Sequence, residues 1–216
     1  MKGVIPEFLA TYLLVFLGTG AVIWNDQTDG SIGQLGIAVA FGGAVALGIL
    51  LFGRFSGAHM NPAVTIALAL GSKFSRKDVP AYLVSQCLGA IAASFTLHRL
   101  FPQNEFLGTT LPSGTVAESF WLEFGLTFLL MAGVFFVSRG KSSERWLAPL
   151  LLGTIVGLEA YFAGPICGAS MNPARSLGPA LVSGHLQYLW LYLVATTLGA
   201  LMVTLFMMLG RKKSTA

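Results

Sequence analysis

The tripeptide Asn-Pro-Ala occurs twice in this chain, each time inside a long apolar stretch. The two copies are Asn61, Pro62 and Ala63, and Asn172, Pro173 and Ala174. Asn is a preferred helix N-cap and Pro is favoured at the first helical position, so each copy predicts the start of a helix. Backbone that enters lipid without forming a full helix must face protein or a water-filled cavity, because hydrocarbon offers no hydrogen-bond partner. The two copies therefore predict two short helices that begin at one shared cavity.

Composition indicates that the chain lies in a membrane. Hydrophobic residues make up 55% of its 216 residues, charged residues only 10%, and the mean hydropathy is +0.74. A helix needs about 20 mainly apolar residues to cross roughly 30 Å of hydrocarbon. Six stretches are suitable, at residues 4–23, 31–52, 79–98, 116–138, 146–163 and 187–209. We predict an all-α membrane protein with six transmembrane helices and two re-entrant half-helices, at 63–70 and 174–181.

The distribution of basic residues predicts the orientation. If the amino terminus is cytoplasmic, 11 of the 13 lysines and arginines lie on the cytoplasmic side, and only Arg99 and Arg175 do not. Lys and Arg near the ends of spans are retained on that side. We therefore expect both termini to be cytoplasmic, in a plasma membrane or a bacterial inner membrane. The net charge of +4 follows from this topology and indicates no nucleic-acid partner.

The two halves of the chain share more than the tripeptide. Residues 7–14 match residues 123–130 at Glu, Phe, Thr and two Leu positions, and residues 56–63 match 167–174 at Gly, Ala, Met, Asn, Pro and Ala. Each copy holds three predicted crossings, an odd number, so the second copy must lie upside down relative to the first. We predict a single domain over residues 1–216, with a first repeat at 1–100 and an inverted second repeat at 116–210.

These motifs together resemble the aquaporin, or major intrinsic protein, family over nearly the whole chain. The resemblance is carried by both Asn-Pro-Ala boxes, both Glu-Phe-x-x-Thr signatures, and the sequences that surround the boxes at 56–65 and 168–176. The stretch 164–180 is most similar to plant nodulin-like and some prokaryotic members. The resemblance implies an hourglass of six tilted helices, a pore in every subunit for water and small neutral solutes, and a homotetramer in the lipid bilayer.

A charged residue follows the second box. Arg175 stands where the first copy has Val64, and a charge inside a membrane is a functional candidate by default. The resemblance implies that Arg175 belongs to an aromatic/arginine selectivity filter, whose other positions are Phe41, Ala160 and Ala169. The two alanines indicate a wider opening than in water-restricted members of the family. Water is the expected permeant, and the alternative is a facilitator of glycerol, urea or metalloid acids with a wide filter.

The loops before the two boxes predict how a permeant is held. We expect pore-facing backbone carbonyls from Gly57, Ala58 and His59 and from Gly168, Ala169 and Ser170, and the NH2 groups of both box asparagines should donate to a solute in the cavity.

Two carboxylates also lie within the predicted spans. Intramembrane carboxylates usually pair internally, so Glu7 and Glu123 are interpreted as structural acceptors for the re-entrant loops.

Other classes of function fit the sequence less well. An ion-coupled secondary transporter needs ionisable coupling groups, and the predicted pore holds Arg175 without an evident acidic or histidine relay. We predict no catalytic residues, no metal site, no cofactor and no enzymatic activity. Two residues are left open. Glu159 could line a vestibule, pair with a buried group or face a neighbouring subunit, and Cys167 could be reactive or inert.

Overall fold

The computed structural model describes residues 3–139 and 146–213, and these residues form eight α-helices. The six long helices are α1 (Val4–Gln27), α2 (Gly33–Ser56), α4 (Val79–Leu100), α5 (Val116–Arg139), α6 (Leu147–Cys167) and α8 (Leu189–Lys213), and the two short ones are α3 (Pro62–Leu70) and α7 (Pro173–Ser183). The order of long, long, short and long helices thus occurs twice. Among the basic residues used to predict orientation, Lys2, Lys141 and Arg145 lie outside the described residues.

All six long helices are long and apolar enough to cross a membrane, so the prediction of six spans is confirmed. The helices extend beyond the predicted spans at several ends. Hydropathy marks where hydrocarbon ends, whereas a helix continues until its backbone is capped. The helices α2 and α6 both run on to a glycine in the left-handed conformation, Gly57 with φ 91° and Gly168 with φ 84°. Glycine adopts this conformation without steric penalty and commonly ends helices.

The long helices pack in pairs, and each short helix is held by the other half of the chain. The main pairs of long helices are α1 with α4, α5 with α8, and α2 with α6. The short helix α3 packs against α8, and α7 packs against α4. The two halves are therefore interlocked through their short helices.

Two of the helix pairs touch backbone to backbone at a glycine. A Cβ atom at Gly89 of α4 would lie 2.4 Å from the carbonyl oxygen of Phe8 on α1, and one at Gly199 of α8 would lie 2.3 Å from that of Phe124 on α5. Small residues allow such close approach between membrane helices. These glycines fix the spacing of the helices that carry Glu7 and Glu123.

The outer surface is apolar and the polar side chains point inward. Ile5, Phe136 and Phe162 are among the most exposed large hydrophobic side chains, as expected for a surface that contacts lipid. Hydroxyl groups inside the bundle bond to their own helices. Thr11 and Thr127, the threonines of the two Glu-Phe-x-x-Thr signatures, donate to the carbonyl oxygens four residues earlier at 2.8 and 2.7 Å. Few polar groups are therefore left facing hydrocarbon.

Replacement of Gly89 or Gly199 by alanine is expected to destabilise the protein. The added methyl group would force apart two packed backbones, and such overpacking costs about 1–3 kcal/mol. Thermal unfolding in detergent measures the change. The matched control is Gly125→Ala in α5, where a Cβ would meet nothing within 4 Å and the melting temperature should not fall. Equal melting temperatures for Gly89→Ala and Gly125→Ala would contradict this packing.

Candidate functional site

The two short helices begin in the same way. Asn61 caps α3, and its side-chain oxygen accepts hydrogen bonds from the backbone N–H groups of Ala63 at 2.9 Å and Val64 at 3.5 Å. Asn172 caps α7 with equivalent bonds from residues 174 and 175, at 3.0 and 3.4 Å. Each asparagine adopts an extended conformation just before a proline at the first helical position, which suits an N-cap.

The two caps also bond to each other's loops. The Asn61 side chain donates from Nδ2 to the carbonyl oxygen of Met171, and the Asn172 side chain donates to that of Met60, both at 2.7 Å. The two helix starts therefore meet at one point. Each NH2 group has two hydrogens, so this contact uses one and leaves one for the cavity. Sequence analysis missed this exchange, since no local pattern pairs residues more than a hundred positions apart.

A buried glutamate supports each loop. Glu7 accepts the N–H groups of His59 and Met60 at 2.8 and 2.9 Å, and Glu123 accepts those of Ser170 and Met171 at 2.7 and 2.9 Å. Both glutamates are fully buried. The carboxylates satisfy backbone donors that would otherwise lie unpaired inside the membrane.

Peptide planarity then fixes where the neighbouring carbonyls point. In a trans peptide the C=O and the N–H face opposite directions. Because the N–H groups of His59 and Met60 point at Glu7, the carbonyls of Ala58 and His59 point away from it. The carbonyls of Ala169 and Ser170 likewise point away from Glu123. Both loops need unusual backbone conformations for this, with positive φ at Gly57, Ala58 and Met60 and again at Gly168, Ala169 and Met171.

The four residues assigned to a filter by resemblance all line one cavity. It has a volume of about 240 Å³, and its walls include Phe41, Ala160, Ala169 and Arg175. The guanidinium carbon of Arg175 lies 4.9 Å from the centre of the Phe41 ring. Its Nη1 atom donates to the carbonyl oxygen of Gly108 at 2.8 Å, which sequence analysis did not foresee.

A second cavity continues the path past the asparagines. It has a volume of about 320 Å³, and its walls include both box asparagines, Val64 and, at its far end, Lys73. Phe41, Ala169 and Arg175 line both cavities, so these residues lie where the two cavities meet. Most of the second cavity's lining is apolar, and the polar residues His59, Asn61, Ser170 and Asn172 lie at the two loops.

Comparison with known proteins assigns the family. The family model for the major intrinsic protein matches residues 1–207. This chain is a member of the major intrinsic protein family. Aquaporin NIP1-1 of Oryza sativa subsp. japonica is 43% identical over 201 residues, which cover 93% of this chain and 71% of the relative. Aquaporin NIP1-1 of Arabidopsis thaliana is 42% identical over 210 residues, with the same coverage.

A solved structure shares the fold. The aquaglyceroporin from Plasmodium falciparum superimposes with a TM-score of 0.81 at 31% sequence identity, over 95% of this chain and 94% of the other. The predicted aquaporin-like fold and the resemblance to plant relatives are therefore confirmed. This major intrinsic protein is a multi-pass membrane protein.

Two residues that sequence analysis left open are buried in this major intrinsic protein. Glu159 is 8% exposed, lines neither cavity, and has no hydrogen-bond partner for either carboxylate oxygen among the described residues. It lies one helical turn after Ile155, whose side chain sits against Gly133 of α5, so it faces the α5–α6 contact. Of the alternatives left open, pairing with a buried group is not observed among the described residues. Cys167 is also fully buried.

No resident metal site is evident in the described part of this major intrinsic protein, since residues 3–139 and 146–213 bring no three His, Cys, Asp or Glu side chains together. The polar side chains along the path are amides, hydroxyls, the His59 imidazole, the Arg175 guanidinium and the Lys73 amine. Such groups bind and orient neutral solutes through hydrogen bonds.

Replacement of Glu123 by glutamine is expected to destabilise the fold and lower permeability. An amide offers one acceptor where the carboxylate offers two, so the N–H of Ser170 or Met171 loses its partner, at a cost of about 1–3 kcal/mol. Thermal unfolding in detergent and flux into vesicles measure the two effects. Glu105→Gln is the control. Glu105 is exposed, and its carboxylate lies 3.7 Å from Nε2 of His185. An exposed pair of this kind contributes little to stability. Equal melting temperatures for the two variants would refute the role of Glu123.

Proposed function

We propose that this chain forms a passive pore that conducts water and small uncharged solutes across a membrane while it excludes protons and ions. The observation that carries the proposal is the exchange of hydrogen bonds between the two box asparagines and the opposite loops, at the path formed by the two cavities. Irregular backbone at membrane depth is tolerated where it lines a water-filled cavity. The names of the relatives, aquaporins and an aquaglyceroporin, agree with this activity.

Backbone carbonyls lower the barrier to entry into the pore. A permeant must lose part of its hydration in the narrow region, and carbonyl oxygens can replace the lost bonds. Ala58, His59, Ala169 and Ser170 supply carbonyls that point away from the supporting glutamates, and we propose Gly57 and Gly168 as further members of the two ladders. No energy source and no covalent chemistry are needed.

The centre of the pore opposes protons. Each box asparagine has one N–H left after its bond to the opposite loop, and both can donate to the oxygen of a single water molecule. That water then directs its own hydrogens outward, which interrupts the hydrogen-bonded chain needed for proton hopping. The positive ends of α3 and α7 meet at the same point and disfavour any cation.

The cavity of about 240 Å³ that is lined by Arg175 and Phe41, which we call the outer cavity, sets which neutral molecules pass. Arg175 offers fixed donors to an oxygen-bearing solute and repels cations, Phe41 supplies an apolar wall, and the alanines at 160 and 169 leave room. This combination favours water together with small neutral solutes. A facilitator of glycerol, urea or metalloid acids is the second candidate, and the small side chains at these two positions are the observation in its favour.

The assembly and topology complete the proposal. We propose a homotetramer with a pore in every subunit, both termini on the cytoplasmic side, and one channel domain over 1–216 made of inverted repeats at 1–100 and 116–210. The uneven distribution of basic residues supports the orientation. The matching roles of Glu7 and Glu123 support the repeats.

Purified protein in lipid vesicles is expected to raise water permeability without raising proton permeability. Stopped-flow light scattering measures water flux after an osmotic step, and a pH-sensitive dye inside the vesicles measures proton flux. Ala160→Trp is the matched control, because a large ring in place of this buried alanine should fill the outer cavity and return water flux toward that of protein-free vesicles. Proton flux that rises in parallel with water flux would refute the proposed mechanism.

Replacement of Ala160 by histidine tests the filter. The imidazole would narrow the outer cavity opposite Arg175, so glycerol and urea permeability should fall more than water permeability. The ratio of solute to water permeability, measured in the same vesicles, reports the change independently of how much protein is inserted. An unchanged ratio of solute to water permeability would contradict the assignment of Ala160 to the filter.

A further inference from the structure

Gln34 is a polar residue of the outer cavity that no sequence motif singled out. It lies in the first turn of α2, which begins at Gly33. Its half-buried side chain lines the cavity of about 240 Å³ together with Phe41, Ala160 and Arg175. A polar side chain among these walls needs an explanation, because an unpaired amide there would lose hydration without compensation.

One end of the Gln34 amide is fixed to α6. Its Nε2 atom donates to the carbonyl oxygen of Ala160 at 2.6 Å, so the bond joins α2 to α6 at a proposed filter position. The approach depends on Gly164, since a Cβ atom there would lie 2.7 Å from Nε2. The absence of a side chain at 164 allows the amide to lie across α6.

The other end of the amide is an acceptor without a hydrogen-bond partner among the described residues. The amide is planar and carries its oxygen and nitrogen on the same carbon, so fixing Nε2 on Ala160 also fixes the direction of Oε1. Arg175 has only donors. Its Nη1 atom is taken by Gly108, and its Nε atom has no partner in the part of the chain that the structure describes.

We propose that Gln34 is a specificity-determining residue of the outer constriction, which accepts a hydrogen bond through Oε1 from a hydroxyl or amide group of a neutral solute while Arg175 donates to that solute's oxygen. This inference rests on the proposed channel function. Phe41 and the two filter alanines offer no side-chain acceptor, and the hydroxyls of Thr109 and Thr110 in the same cavity already bond to Ser183 and Ser176. Gln34 therefore adds an unpaired side-chain acceptor to the donors of Arg175. Polyols and ureas carry both donors and acceptors, so one such molecule in this cavity can use an acceptor and a donor of the protein together.

The first test replaces Gln34 by methionine, which has a similar length but no amide. The protein is reconstituted in vesicles, and the permeabilities of water, glycerol and urea are measured by stopped-flow light scattering. Loss of one hydrogen bond is expected to lower glycerol and urea permeability by roughly three- to tenfold. Water is small enough to pass while bonded to Arg175 alone, so its permeability should change by less than about twofold on the same scale.

The second test moves the amide without changing its chemistry. Gly164→Ala places a methyl group against Nε2 of Gln34 and should displace the whole amide, so it should lower the solute-to-water permeability ratio as Gln34→Met does. Gly43→Ala is the matched control on α2, because a Cβ at Gly43 meets nothing within 4 Å. The solute-to-water permeability ratio of Gly43→Ala should equal that of the unaltered protein.

The possible results separate this inference from the proposed function. Unaltered protein that conducts no water above protein-free vesicles would refute the channel itself. Protein that conducts water but neither glycerol nor urea would overturn the role of Gln34 and leave the channel in place. An unchanged ratio in Gln34→Met, or an equal fall of water and solute permeability, would also overturn it, because the loss of a hydrogen bond to the solute predicts a fall in solute permeability alone.

Discussion

The fold depends on satisfying irregular backbone inside hydrocarbon. Each loop before a short helix exposes N–H groups that helices would pair internally, and a buried glutamate from a neighbouring long helix accepts two of them. Because these donors face the glutamates, the carbonyls of the same peptide units face away from them, in loops that line the cavity of about 320 Å³. The same bonds thus make the loops tolerable in a membrane and polar on their pore side. The exchanged bonds of Asn61 and Asn172 then hold the two loops against each other.

The two halves support their loops with equivalent glutamates but differ in the side chains around those glutamates. Gln86 of α4 donates to both Glu7 and Thr65 in the first half. Thr196 occupies the matching place in α8, three residues before the close-contact glycine, and donates to its own helix instead. The larger difference is the residue after each box, apolar Val64 in one half and Arg175 in the other. The cavity near Arg175 therefore has a charged donor that the first half does not match, while the contact between the two box asparagines is nearly symmetrical.

The sequence predicted the parts of this structure that local patterns encode. Apolar runs marked the six long helices, the Asn-Pro pairs marked the starts of α3 and α7, and repetition of Glu7 and Glu123 marked them as a pair. What it missed depends on three-dimensional contact. The bond from Gln34 to Ala160 joins residues 126 positions apart, and it needs a glycine one turn further along α6. The partner of Arg175, the Gly108 carbonyl, comes from a connection with no helical pattern. Sequence analysis also could not show that the Glu159 carboxylate has no hydrogen-bond partner among the described residues, since its surroundings are set by how α5 and α6 cross.

Each short helix packs against a long helix of the other half of the chain. The order of translation therefore decides when each short helix gains that surface. The helix α3 packs mainly against α8, which is translated after it, whereas α7 packs against α4, which is translated before it. Until α8 is made, α3 therefore lacks its largest packing surface, although it also contacts α4. The first half of the chain also cannot complete the contact between the two boxes by itself, because Asn61 bonds to Met171 and Asn172 bonds to Met60.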